Sequence, residues 1–222
     1  MYLNLSYYRK LTMKFEVKSA VMPLFAINIL FFIMQLILGN NFTNSFMLIS
    51  KDIFARPWIM VTYMFLHAGF YHLFLNMYVL LMFGALLEQR IGTKRFIFIY
   101  FLSGIAAAVL SSFFYERSLG ASGAIAGILG MLIILMPELQ ILFFFVIPMP
   151  LWIFGIVYVL IETFGIFIPS GIGHIAHLVG TGAGLLYGLY LKKQKRIFDK
   201  KFSSKKHLES VDIEEYLRTG RI

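Results

Sequence analysis

Four of the five histidines in this 222-residue chain, His67, His72, His174 and His177, fall in or beside long apolar stretches, as do Asn76, Ser122 and Glu162. A polar or ionisable group in such a setting is costly, so each needs a reason to be there. A hydroxyl and an imidazole together suggest one chemistry directly. The imidazole accepts the hydroxyl proton and turns a weak serine into a nucleophile. Asn76 lies four residues after His72, on the same face of a helix. Its amide, with backbone N–H groups near Ser122, has the donors that a developing oxyanion needs. Each residue also has a plainer reading when taken alone. Ser122 suits a helix N-cap or a packing position, His72 and Asn76 suit an interhelical hydrogen bond, and His67 suits a structural or interfacial role. Glu162 alone suits transport or a proton relay, but the sequence offers it no partner. Four histidines also raise the question of a metal. There is no His-Glu-x-x-His pattern and no cysteine, so neither metal nor cofactor is expected. Gly120-Ala121-Ser122-Gly123 is not a lipase elbow, because Ala124 takes the place of its final glycine.

These groups must be positioned by elements buried in lipid. Hydrophobic residues make up 59% of the chain and charged residues 14%, against about 25% charged in soluble domains. A soluble fold of this size could not hide so much apolar surface. Six stretches read as bilayer-spanning helices, at about 20–39, 70–87, 96–115, 120–136, 150–167 and 172–191. Expected stops are Gly39-Asn40-Asn41, Glu88-Gln89-Arg90, Glu116-Arg117, Pro137-Glu138, Pro169 and Lys192-Lys193.

The net charge of +9 is concentrated in residues 1–19, 88–95 and 192–222. That pattern marks cytoplasmic segments under the positive-inside rule and, with an even span count, places both termini inside. Contact with membrane lipid is expected of these patches, and nucleic acid is not an expected partner. The fourth-to-fifth loop should also be inside yet has no lysine or arginine, and the rule does not explain it. The expected organisation is a cytoplasmic segment over 1–19, a membrane domain over 20–191 and a basic cytoplasmic tail over 192–222. The apolar run after residue 19 lacks a small-x-small cleavage pattern, so 1–19 is not read as a signal peptide.

Depth brings the polar residues together. With both termini inside, the second, fourth and sixth spans all run from outside to inside. Asn76, Ser122 and His177 then lie roughly 3–10 Å below the outer surface at 1.5 Å per residue. Small residues indicate which helices touch. Ala176, Gly180, Gly184 and Gly188 form a stripe with a period of four, and Ser122, Ala126 and Gly130 form another beside Gly123 and Gly127. Such stripes let backbones approach closely, which could bring His177 within hydrogen-bond reach of Ser122. No acidic residue is expected at that depth beside either, so the reading is a Ser-His dyad.

Four separated motifs now stand in order. They are His67-Ala68-Gly69-Phe70-Tyr71-His72-Leu73-Phe74-Leu75-Asn76, Glu88-Gln89-Arg90-Ile91-Gly92, Gly120-Ala121-Ser122-Gly123, and Ala176-His177-Leu178-Val179-Gly180 followed by Gly184. Together they resemble the rhomboid family of intramembrane serine proteases over about 55–191. The resemblance implies an all-α, six-transmembrane-helix bundle with a large outer first loop over 40–69. It implies Ser122 as nucleophile and His177 as general base, with Asn76, His72 and the Ser122 backbone N–H lining the oxyanion hole. Residues 165–173 would be a mobile cap, and the substrates would be other transmembrane proteins. His174 lacks glycines at the matching positions, so the base is assigned to His177. Family members often carry an aromatic residue four positions after the nucleophile, stacked on the catalytic histidine. Here that residue is Ala126, so other side chains must orient the base. Two other readings stay open: a catalytically inactive rhomboid-like protein that binds transmembrane helices, and a small transporter.

Overall fold

A computed structural model describes residues 19–143 and 146–203. Residues 1–18 of the expected cytoplasmic segment over 1–19, and residues 204–222 of the expected tail over 192–222, lie outside the described residues. Six long helices carry the fold: α1 (Val21–Phe46), α2 (Phe70–Ile91), α3 (Thr93–Ser111), α4 (Ser122–Leu135), α5 (Leu151–Gly165) and α6 (His174–Ser203). By length and composition α1, α2 and α3 can each cross a membrane, and α4 and α5 are shorter apolar helices.

Four expected helix ends move, and that of α3 falls back from 115 to Ser111. α1 does not stop at Gly39. That residue takes φ 65° and ψ −149°, and the helix resumes to Phe46. Glycine reaches positive φ without a Cβ clash, so the chain bends instead of breaking. α2 runs past Glu88 to Ile91 and ends at Gly92, whose φ is 82°. Glu88 is buried within it and accepts the Ser19 hydroxyl and the Ala20 N–H, each at 2.7 Å. The carboxylate thus serves the orphan donors at the start of α1, which makes its burial tolerable. α6 continues through Lys192-Lys193 to Ser203, because lysine, glutamine and arginine are good helix formers and charge alone does not end a helix.

The fold is not purely helical. Strand β1 (Leu48–Ile49) pairs antiparallel with β2 (Arg117–Ser118), and β3 (Gln140–Phe143) with β4 (Ile147–Pro150). The first ribbon fastens the α1–α2 loop to the segment leading into α4. Ser50 N–H donates to the Glu116 carbonyl at 3.0 Å, and Gly120 N–H to the Tyr63 carbonyl at 2.9 Å. The Tyr63 hydroxyl reaches the Gly104 carbonyl on α3 at 2.7 Å, fixing the loop from below. The second ribbon joins α4 to α5, in the connection that the sequence reads as a loop.

α4 is the centre of the molecule. Every residue from Gly123 to Leu132 is buried, as suits a helix that is hydrophobic all round. α6 packs on it most extensively, through the stripes read from sequence. A Cβ built on Gly180 would lie 2.0 Å from the Gly123 carbonyl oxygen, and one on Gly184 2.0 Å from that of Gly127. On the α4 side, a Cβ on Gly130 would lie 2.3 Å from the Thr181 carbonyl oxygen. Only glycine permits this contact of backbone on backbone.

Candidate active site

A cavity of about 1190 Å³ opens where α2, α4, α5, α6 and the segment 166–173 converge. His72 and Asn76 face it from α2, Ser122 from the start of α4, Glu162 from α5, and His174 and His177 from the first turn of α6. His72, Asn76, Ser122 and His177, grouped by depth or by resemblance, thus share one space. His67 does not line it. That residue is buried just before α2, its ring centroid 5.1 Å from that of His72. Burial first, and then His72, push its imidazole down from 6.5 to about 3.

Ser122 is the first residue of α4, after Gly120 at φ 127°. A Cβ at Gly120 would sit 2.8 Å from His72 Cε1, 2.9 Å from His72 Nε2 and 3.7 Å from Ser122 Oγ. Glycine is needed there twice, for its positive φ and to leave the gap between imidazole and hydroxyl open. His72 Nδ1 accepts the Ala68 N–H at 3.3 Å. That leaves the proton on Nε2, so the nitrogen beside Gly120 is a donor. Asn76 gives one amide proton to the His72 carbonyl at 2.8 Å and keeps the other. No hydrogen bond joins Ser122 Oγ to His177 among the described residues.

The expectation that no acidic residue lies near the base is overturned. Glu162 Oε1 is 3.0 Å from His177 Nδ1, and Glu162 Oε2 is 2.6 Å from His174 Nδ1. His174 Nε2 in turn meets Ser170 Oγ at 2.9 Å. Glu162, read from sequence as partnerless, therefore has two partners. The His174 and His177 rings lie edge to face, with centroids 6.4 Å apart. Gly165 makes room for the first of them, since a Cβ there would come within 2.4 Å of the His174 ring.

These three residues are also the ones that could hold a metal, with one donor atom from each within 4.8 Å of the others. The carboxylate–imidazole separations of 2.6 and 3.0 Å are hydrogen-bond lengths, so the groups satisfy one another without an ion. One sequence signal could have found Glu162. It lies three residues before the end of α5, level with the site, and a buried carboxylate in an apolar helix demands a partner.

A rhomboid-domain family profile matches residues 55–194. The chain belongs to the rhomboid family. Members of this family are typically intramembrane proteases. Rhomboid protein 1, mitochondrial, of Saccharomyces cerevisiae is 33% identical over 187 residues, covering 79% of this chain and 54% of the yeast protein. Rhomboid-like protease 3 of Toxoplasma gondii is 45% identical over 75 residues, covering 33% of this chain and 28% of that protein. RHOMBOID-like protein 6, mitochondrial, of Arabidopsis thaliana is 43% identical over 77 residues, covering 34% and 25% respectively. This rhomboid thus aligns with about half or less of these relatives' lengths.

Proposed function

We propose that this rhomboid is an intramembrane serine endopeptidase that cuts other membrane proteins in or next to their transmembrane segments. The observation that carries the reading is the convergence of Ser122, His177, His72 and Asn76 on one cavity. Ser122 attacks a substrate carbonyl while His177 takes its proton. The tetrahedral oxyanion is held by Asn76, His72 Nε2–H and the Ser122 backbone N–H. His177 then protonates the leaving amine, and water hydrolyses the acyl-enzyme by the same steps in reverse roles. The scissile bond must first leave its helix, because a helical carbonyl is already hydrogen-bonded. Substrates should therefore carry helix-weakening or small residues near the cut.

The same reading takes all six long helices as spans, with both termini cytoplasmic in the cell membrane. The basic patches at 1–19, 88–95 and 192–222 support that orientation. α4, with 14 residues, is about 21 Å long against a hydrocarbon core of about 30 Å. Ser122 then starts below the outer surface, with the cavity open outward to water. Lipid surrounds the bundle, and nucleic acid plays no part.

The missing Ser122–His177 hydrogen bond favours a second reading, a silent rhomboid-like protein that binds transmembrane helices. A fluorophosphonate probe separates the two. Under the first reading the purified chain is labelled and cleaves a model transmembrane substrate. Ser122→Ala removes labelling and lowers turnover by at least about 10³-fold. A folded chain that neither labels nor cleaves refutes the protease reading.

A further inference from the structure

We infer that Glu162 is a positioning residue which sets the tautomers of both His174 and His177, so that Ser170, His174, Glu162 and His177 form one ordered hydrogen-bonded chain ending at His177, in the cavity that Ser122 also lines. The inference rests on the protease reading for its consequence but not for its geometry. A carboxylate only accepts hydrogen bonds. Its two oxygens meet two different imidazoles, each at Nδ1, at 2.6 and 3.0 Å. Both Nδ1 atoms must therefore carry hydrogen. In the neutral form of each ring the other nitrogen is then a bare acceptor. For His174 that acceptor takes the Ser170 hydroxyl proton at 2.9 Å. For His177 it leaves Nε2 as a base on the cavity side, the state needed to accept the Ser122 proton.

His174 has a definite place in this arrangement. A carboxylate bonded through one oxygen could rotate, whereas one bonded through both is fixed in plane and direction. The shorter bond, from His174, anchors Glu162 so that the longer one can aim His177. The carboxylate meets His177 at Nδ1 and so supplies orientation from the edge of the ring. As His177 becomes an imidazolium, the same carboxylate lies against its Nδ1–H and stabilises the new charge.

The test uses the full chain in detergent micelles and in liposomes. Glu162→Gln keeps the shape but gives a side chain with one acceptor oxygen and one NH2, which cannot accept from both imidazoles. Fluorophosphonate labelling and kcat should fall about 10²- to 10⁴-fold, with KM unchanged within a factor of two. Glu162→Asp should recover part of the loss. Nitrogen-15 NMR of histidine-labelled protein reads the tautomers without any change at Glu162, with His177→Ala and His174→Ala identifying the signals. His174 and His177 should both show a protonated Nδ1 and a bare Nε2. Wild-type activity retained by Glu162→Gln within threefold, or a His177 protonated at Nε2, overturns the inference. If Glu162→Gln fails to fold, the wild-type spectrum decides alone. A wild-type chain that never labels or cleaves refutes the protease reading, while the spectrum still decides the role of Glu162.

Discussion

Gly184→Ala tests whether the contact between α4 and α6 sets the spacing of the site. The added Cβ would lie 2.0 Å from the Gly127 carbonyl oxygen, 2.8 Å from its carbon and 2.9 Å from Met131 N. All three are backbone atoms, so no side chain can swing away. The carbon sits roughly 1.4 Å inside ordinary contact distance, and the helices must part by about that much. Overpacking of this kind costs about 1–3 kcal/mol, or several degrees in Tm. Gly184 is seven residues, roughly 10 Å along the helix, beyond His177. It touches no candidate catalytic group, and its effect must pass through helix separation. A displacement near 1 Å at the reacting atoms costs about 10²-fold in rate. Gly182→Ala is the control, since a Cβ there meets nothing within 4 Å. The assays are thermal unfolding, fluorophosphonate labelling and cleavage of a transmembrane substrate. Gly184→Ala should lower all three, and Gly182→Ala should stay within twofold of wild type. If Gly184→Ala stays within threefold, or if the two variants behave alike, the stripe does not set the geometry.

His67 should make stability depend on pH. Its folded pKa of about 3 lies below the unfolded value of 6.5, so the unfolded chain binds the proton first and stability falls as pH drops through that window. From pH 7 to pH 5 the loss should be about 2 kcal/mol, measured by SDS unfolding. His67→Phe should remove that part of the slope. Glu88→Ala strips two 2.7 Å bonds from the start of α1 and should cost about 2–3 kcal/mol. Because Glu88 does not line the cavity, labelling per folded molecule should be unchanged, as labelling against unfolding would show.

The helical architecture was legible because apolar runs in lipid admit few alternatives. The convergence of Ser122, His177 and Asn76 was legible because depth is a one-dimensional quantity, His72 entered with the resemblance, and the small-residue stripes named the helix pair that brings Ser122 and His177 to one cavity. What stayed hidden depended on contacts between distant segments. Glu162 looked isolated because its partners lie 12 and 15 residues away, across a loop whose path no periodicity reveals. Glu88 looked like a terminator because nothing local shows that its carboxylate caps another helix. Gly39 read as a stop since glycine ends helices more often than it bends them, and only the surroundings decide which. The ribbon of β1 and β2 is two residues on each side, too short to leave an alternating pattern.

The enclosure of α4 has a consequence for biosynthesis. A chain made from its N-terminus delivers Ser122 to the bilayer some fifty residues before His177, and α6, the helix that seals α4, is the last of the six to arrive. Until it docks, the glycine faces of α4 are bare to lipid and Ser122 lacks His177 in its cavity. On the protease reading, the newborn molecule is thereby harmless to its neighbours at the insertion machinery, and completing the bundle and arming it are a single event.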